Sequence, residues 1–203
     1  MFPALFWYLQ SQAFYQRIHK SAVEAADLQV SKEMKWADVG CGIGLMSRMA
    51  YAHGYRDISS YDLDHGMIKW AKFINRKNTV LKYTQKDVMA LEKKFDVISA
   101  TSLLSVVPER SEVLEKLISL LKNEDSKLIL IEPTEKMHVK NVWELVGNLK
   151  ELYYYKMLFI WAKARQGKAV DETIFKDVKN ISHKYLFNDM VRITIIGKQD
   201  EQK

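Results

Sequence analysis

Cysteine is almost absent from this sequence: Cys41 is the only one. That excludes a disulfide framework and a cysteine-rich metal site, so no metal is expected, and a reducing, cytoplasmic setting is. Long apolar runs are missing as well. No stretch reaches the roughly 20 apolar residues that a transmembrane helix needs. The apolar start, residues 1–9, has no basic residues ahead of it and is cut short by Gln10, Ser11 and Gln12. It therefore reads as an uncleaved aromatic helix rather than a secretory signal. Low-complexity segments and internal repeats are also lacking.

What is present suffices for one packed unit. The 203 residues are 48% hydrophobic, which suits a single domain over 1–203 with a sizeable core. The formal net charge is +6, and residues 140–184 hold nine Lys/Arg against five Asp/Glu. Such an excess reads first as a solvated face, and it also suits an acidic substrate or an anionic surface.

Hydrophobic periodicity predicts strands alternating with helices. A helix over 4–27 comes first. Strands are expected at 35–39, 58–61, 80–83, 95–100 and 127–131, the last almost wholly apolar, as in a strand covered on both faces. Helices are expected at 45–53, closed by Gly54, at 67–74, and at 109–122 with Pro108 in its first turn. A long helix follows over 142–160 with Gly147 inside it, then a short one over 172–178. Two last strands, 181–187 and 190–197, flank Asn188-Asp189, a two-residue connection suited to a tight hairpin. This order implies an α/β fold with a seven-stranded, mostly parallel, doubly wound sheet and an antiparallel C-terminal strand.

The run Trp36-Ala37-Asp38-Val39-Gly40-Cys41-Gly42-Ile43-Gly44-Leu45 carries the chemistry. An apolar strand ends in an acid, and three glycines follow at alternate positions. Glycine lets the backbone turn sharply and admits a ligand close to the main chain. A helix starting just after it aims its free N–H groups and positive dipole end at that ligand. A nicotinamide fingerprint requires Gly-x-Gly-x-x-Gly, and its third position here is Leu45. The glycine comes one residue early, at Gly44. Asp62 follows Gly40 by 22 residues, near the spacing of a ribose-binding carboxylate. An ionised carboxylate only accepts, so it can take two vicinal hydroxyls. Asp64 is available to cap the next helix, which leaves Asp62 for a ligand.

The glycine run resembles motif I of the class I S-adenosylmethionine (SAM) methyltransferases of small-molecule type. Asp62-Leu63-Asp64-His65-Gly66-Met67 is similar to that family's motif II and Lys86-Asp87-Val88 to its motif III. Residues 95–100 resemble motif IV, and 128–133 the family's fifth strand. The resemblance covers residues 30–135 and implies the Rossmann-like methyltransferase fold, with SAM as cofactor and S-adenosylhomocysteine (SAH) as product. It puts Asp38 near the methionine end, with Gly40, Cys41, Gly42 and Gly44 around the methionine and ribose. Asp62 would hold the ribose, and Leu63 and Met67 would line the adenine pocket. Asp87 would accept from the adenine amino group, with the Val88 N–H on a ring nitrogen. Thr101 would border the cofactor after the fourth strand. SAM has no phosphate, so no P-loop lysine is required, and none is present.

Further absences narrow the methyl acceptor. Nucleobase-amine enzymes carry Asn/Asp-Pro-Pro-Tyr/Phe where this chain has Ala100-Thr101-Ser102-Leu103. The cysteine that cytosine-C5 enzymes need in that region is missing, and no added DNA-reading surface is evident, so nucleic acid is not the expected partner. Residues 102–108 resemble the small-molecule loop, but Ser105-Val106 stands where family members carry Glu-His or His-His, so no catalytic residue is assigned. His19, His65, His138 and His183 read as surface or structural residues. An N-terminal helical lid over 1–29 and a helical insertion over 137–180 flank the site. Their aromatics, among them Phe6, Tyr8, Tyr15, Trp143, Tyr153 and Trp161, point to an apolar or aromatic small-molecule acceptor. Tyr8, Tyr15, Ser105, Glu132 and His138 are the candidate pocket residues. Two alternatives stay open. One is a lipid or quinone-like acceptor met by peripheral membrane contact, which Lys150, Lys156, Lys163, Arg165 and Lys168 would favour. The other is a SAM-binding protein without catalysis. A monomer or homodimer is expected.

Overall fold

A computed structural model of the chain describes residues 3–26, 28–147 and 149–198. Its strands are β1 (Lys35–Val39), β2 (Asp57–Asp62), β3 (Leu81–Gln85), β4 (Val97–Thr101), β5 (Lys127–Pro133), β6 (Ile181–Leu186) and β7 (Val191–Gly197). Its helices are α1 (Pro3–Gln10), α2 (Ala13–Ala25), α3 (Leu45–His53), α4 (His65–Ile74), α5 (Arg110–Ser119), α6 (Val139–Val146) and α7 (Leu149–Arg165). The strands form one seven-stranded sheet in the order β3-β2-β1-β4-β5-β7-β6. Strands β1 to β5 pair in parallel, and β7 runs antiparallel to both of its neighbours. This is the doubly wound, mostly parallel sheet that the sequence implies.

The winding reverses between β1 and β4, because β2 and β3 lie on one side of β1 and β4 and β5 on the other. Open sheets of this kind bind ligands beyond the carboxyl ends of the strands at that reversal. The glycine turn leaves β1 at this place. Alternation along β1 sorts its side chains between two cores. Trp36 joins the cluster that holds α2, α3 and α7, whereas Ala37 and Val39 join the one beneath α5. Asp38 shares the Trp36 face, and so points toward α3.

Several boundaries differ from the expectation, each for a local reason. The helix expected over 4–27 is two helices. Ser11 Oγ and Gln12 Nε2 both donate to the Tyr8 carbonyl, at 2.7 and 3.0 Å, and end α1 there. Its last expected residue, Asp27, and the side chains of Phe6, Lys150 and Tyr153 lie outside the described residues. The helix expected over 142–160 is also two, because Gly147 adopts φ +63 and closes α6. Pro108 precedes α5 rather than sitting in its first turn; Glu109 is the N-cap. Phe95 lies outside β4, in an isolated bridge to Leu121. The last register pair of the hairpin is Leu186 with Val191, so its loop has four residues rather than two. Phe187, Asn188 and Asp189 all take positive φ there, and Met190 is fully buried. Two expected caps are present: Gly54, at φ +117, closes α3, and Asp64 accepts from Met67 N–H at the start of α4. No described helix is long and apolar enough to cross a membrane.

Candidate functional site

Gly40, Gly42 and Gly44 all have left-handed backbones, at φ +66, +53 and +82. The turn needs glycine for conformation alone. Gly44 carries a second constraint. A Cβ there would lie 2.6 Å from Tyr83 Cε1 and 2.7 Å from Cζ, and closer still to the hydroxyl. The early third glycine thus admits a tyrosine from β3 against the start of α3. A Cβ on Gly40 would meet only the tip of Leu103, at 3.1 Å. Cys41 hydrogen-bonds through its N–H to the Tyr61 carbonyl, and burial pushes its thiol well up, so it packs rather than reacts.

Asp38 is buried at the end of β1 inside a network of hydroxyls. It accepts from Ser47 N–H at 3.0 Å, Ser47 Oγ at 2.6 Å and Ser99 Oγ at 3.2 Å. Trp36 Nε1 donates to Ser99 at 2.9 Å, and Ser60 lies 2.8 Å from Ser47 Oγ. Burial pushes its pKa to about 6, although these donors pull it back. A cation brought beside it would favour its ionised form.

Asp62 ends β2 and ties the glycine turn to the segment after it. One oxygen accepts Gly42 N–H at 2.8 Å and the other Asp64 N–H at 2.8 Å. The next strand joins in: Lys86 N–H donates to the Asp62 carbonyl and Gln85 Nε2 to the Leu63 carbonyl. Leu63 is 68% exposed beside this carboxylate, so core packing does not account for it. Met67 and Val88 are core residues. Asp87 is exposed and caps a short 3₁₀ turn, Val88–Ala90, by accepting from Met89 N–H at 2.9 Å.

A hollow of about 20 Å³ lies between the glycine turn and α2, lined by Gln10, Tyr15, His19, Asp38, Gly40, Cys41, Leu45, Met46 and Thr101. It has room for roughly one water-sized group. His19 was not legible as a site residue, yet it is buried here. Its Nδ1 lies 2.8 Å from the Tyr15 carbonyl, and its Nε2 3.4 Å from Thr101 Oγ1. A carbonyl only accepts, so Nδ1 carries the proton and Nε2 keeps its lone pair. Burial, against the pull of that carbonyl, lowers the His19 pKa to about 4 and keeps the ring neutral. The open shelf, a carboxylate beside an apolar side chain, thus fits a nucleoside, and Asp38 beside the hollow is an acceptor for a cationic group. A wider groove of about 540 Å³, flanked by Lys94, Leu114 and Ile174, contains none of these motif residues.

The other candidate pocket residues divide. Tyr15 lines the hollow with its ring edge-on to Trp161 at 5.3 Å, and burial raises its pKa to about 12. Tyr8 instead turns outward beneath the Lys156 ammonium. The α1 residue that reaches the hollow is Gln10. Ser105 and Glu132 are buried but do not line it, and Glu132 accepts Leu104 N–H at 2.9 Å and Ser105 N–H at 3.3 Å. Glu132 therefore clamps the loop after β4. His138 is exposed and caps α6 by accepting from Lys140 N–H at 3.1 Å. Among the described residues no cluster of His, Cys, Asp or Glu could hold a metal ion.

Solved methyltransferase structures share this architecture. The plantazolicin methyltransferase BpumL in complex with SAH matches with a TM-score of 0.65 at 16% identity, over 92% of this chain and 85% of its own. N-methyltransferase NodS from Bradyrhizobium japonicum WM9, in complex with SAH, gives 0.66 at 12%, over 96% and 92%. The CurJ carbon methyltransferase gives 0.63 at 14%, over 91% of this chain and 54% of its own. At these identities the likeness is one of fold. No curated protein matches by sequence. A family model described as a methyltransferase domain matches residues 9–162, which is most of the chain, and the protein therefore belongs to that methyltransferase family.

Proposed function

We propose that the chain transfers a methyl group from SAM to a small-molecule acceptor of apolar or aromatic character. The observation that carries this reading is the gathering, at the β1/β4 reversal, of Gly40, Gly42, the Asp62 carboxylate and the uncovered Leu63. Asp62 takes the ribose hydroxyls, Leu63 and Asp87 take the adenine, and Asp38 favours the cationic end. The SAH in the BpumL and NodS structures supports the same donor. Bound SAM supplies an electrophilic methyl on its sulfonium, open to in-line displacement. The protein's part is to hold the nucleophile collinear with that bond and to exclude water. The helices within 1–29 and 137–180 are the cover, through Gln10, Tyr15 and Trp161. His19 Nε2 accepts the N–H or O–H hydrogen of the acceptor. The enzyme works in the cytoplasm as a monomer or homodimer.

Calorimetry with SAM and SAH tests the donor. Both are expected to bind, and Asp62→Ala to weaken binding by roughly 10- to 100-fold, because charge-assisted hydrogen bonds are lost and the Gly42 and Asp64 amides lose their partner. If neither compound bound, and Asp62→Ala changed nothing, the cofactor reading would fail. Labelled SAM mixed with a metabolite extract tests transfer. His19→Ala is expected to lower product formation about tenfold while keeping SAH affinity. Unchanged transfer would remove His19 from the mechanism.

A further inference from the structure

The face of α1 and α7 that points away from the hollow carries a pattern that the methyl-transfer chemistry does not use. Helix α1, with the sequence PALFWYLQ, has no charged residue. Tyr8 on it is 40% exposed. On α7, the residues Lys156, Ile160 and Lys163 fall at i, i+4 and i+7, so they form one exposed stripe, with Ile160 49% exposed. Two contacts join these helices into one surface. The Lys156 ammonium lies 5.8 Å from the centre of the Tyr8 ring. Trp143 of α6, 48% exposed, packs edge-on to Phe159 with 4.9 Å between ring centres.

We propose that this face of α1, α6 and α7 docks on an anionic lipid bilayer. Charge complementarity selects that occupant. Among the described residues, α6, α7 and the turn after them expose Lys140, Lys156, Lys163 and Lys168 against Glu144, which lies 3.9 Å from Lys140. Tryptophan and tyrosine favour the headgroup boundary, where one end of the ring is apolar and the other wet. Lysines flanking an exposed isoleucine can lay their stems on apolar surface and keep their ammonium groups among lipid phosphates. The helices lie on such a surface rather than across it, since no described helix is long and apolar enough to span.

The position of the face gives it a function. Gln10 of α1 lines the hollow, and Trp161 of α7 packs on Tyr15, so the inner sides of these helices close over the site while the outer sides would meet lipid. On the methyl-transfer reading, the acceptor is then an amphiphile drawn from the membrane through the seam between α1 and α7. The docking itself does not depend on that reading.

Flotation of the 203-residue chain with phosphatidylglycerol-containing vesicles, against pure phosphatidylcholine vesicles, tests the proposal. Binding to the anionic vesicles at low salt is expected, with loss at high salt. The double substitution Lys156→Glu with Lys163→Glu is expected to reduce binding by at least about tenfold, and Ile160→Ser with Trp143→Ser to reduce it as well. SAH calorimetry on each variant should be unchanged, which shows a folded site and separates this proposal from the cofactor reading. Absence of flotation at low salt would overturn the proposal. So would flotation that survives all four substitutions. Self-association through this face without flotation would assign it to a second copy of the chain and overturn the proposal too.

Discussion

Gly44→Ala is expected to lower stability by about 2–4 kcal/mol, measured by urea denaturation. Two causes act together. The residue sits at φ +82, where an L side chain costs on the order of 1 kcal/mol or more. The new Cβ would also collide with the Tyr83 ring, at 2.6 Å from Cε1. Tyr83 is buried, and its backbone is fixed in β3 opposite Ser60, so the ring has little room to retreat. Overpacking of this sort typically costs about 1–3 kcal/mol. Tyr83→Leu in the same chain separates the two. It should recover the collision and leave the backbone strain, giving a coupling energy of roughly 1–3 kcal/mol in a double-mutant cycle. A glycine kept only for close approach of a cofactor would behave otherwise: Gly44→Ala would fold with normal stability and lose SAH binding alone.

That contrast shows what the sequence reading could and could not reach. The three glycines, Asp62 at its offset and the strand–helix alternation are local patterns, and the sheet order follows from them with the handedness of crossovers. The reason for Gly44 is not local. It depends on Tyr83, 39 residues later, arriving on the far side of β2. His19 was hidden in the same way. On an amphipathic helix beside Tyr15 and Ile18 it looks like any packed residue. Its tautomer comes from a carbonyl one turn back, and a threonine 82 positions on faces its other nitrogen. Tyr8 lies on the outward side of α1, a placement that aromatic content alone does not reveal, because it does not say which side of a helix meets the site. The breaks at Ser11-Gln12 and Gly147 were within reach of sequence. Short polar side chains that bond back to a helix carbonyl, and a glycine after a periodic run, are both stop signals.

Stability is expected to fall as pH rises from about 4.5 to about 7, and Glu132→Gln to remove most of that slope. Burial pushes the Glu132 pKa from 4.5 to about 7, even though Leu104 N–H and Ser105 N–H both favour the carboxylate. Desolvation therefore outweighs two hydrogen bonds. The fold prefers the protonated acid, while the unfolded chain ionises above 4.5. A group raised in this way contributes its full stability below the unfolded pKa and loses it as pH rises through the folded one. A shift of this size corresponds to about 3 kcal/mol. Asp38 has the same sign between 3.8 and about 6. His19, lowered from 6.5 to about 4, has the opposite sign, because its neutral ring favours folding above 6.5 and loses that advantage as pH falls. Those two oppose each other over the same window, and Glu132→Gln isolates the contribution of Glu132. Glutamine stays neutral, so the variant should gain on the parent by about 3 kcal/mol between pH 4.5 and 8. Denaturation series at both pH values measure this, and an unchanged slope would show that Glu132 does not titrate there. The gain in stability should come with slower methyl transfer. An amide offers one acceptor where the carboxylate offers two, so either Leu104 N–H or Ser105 N–H loses its partner and the loop after β4 loosens beside Thr101. A buried charge that destabilises the fold is kept in place by the loop it holds.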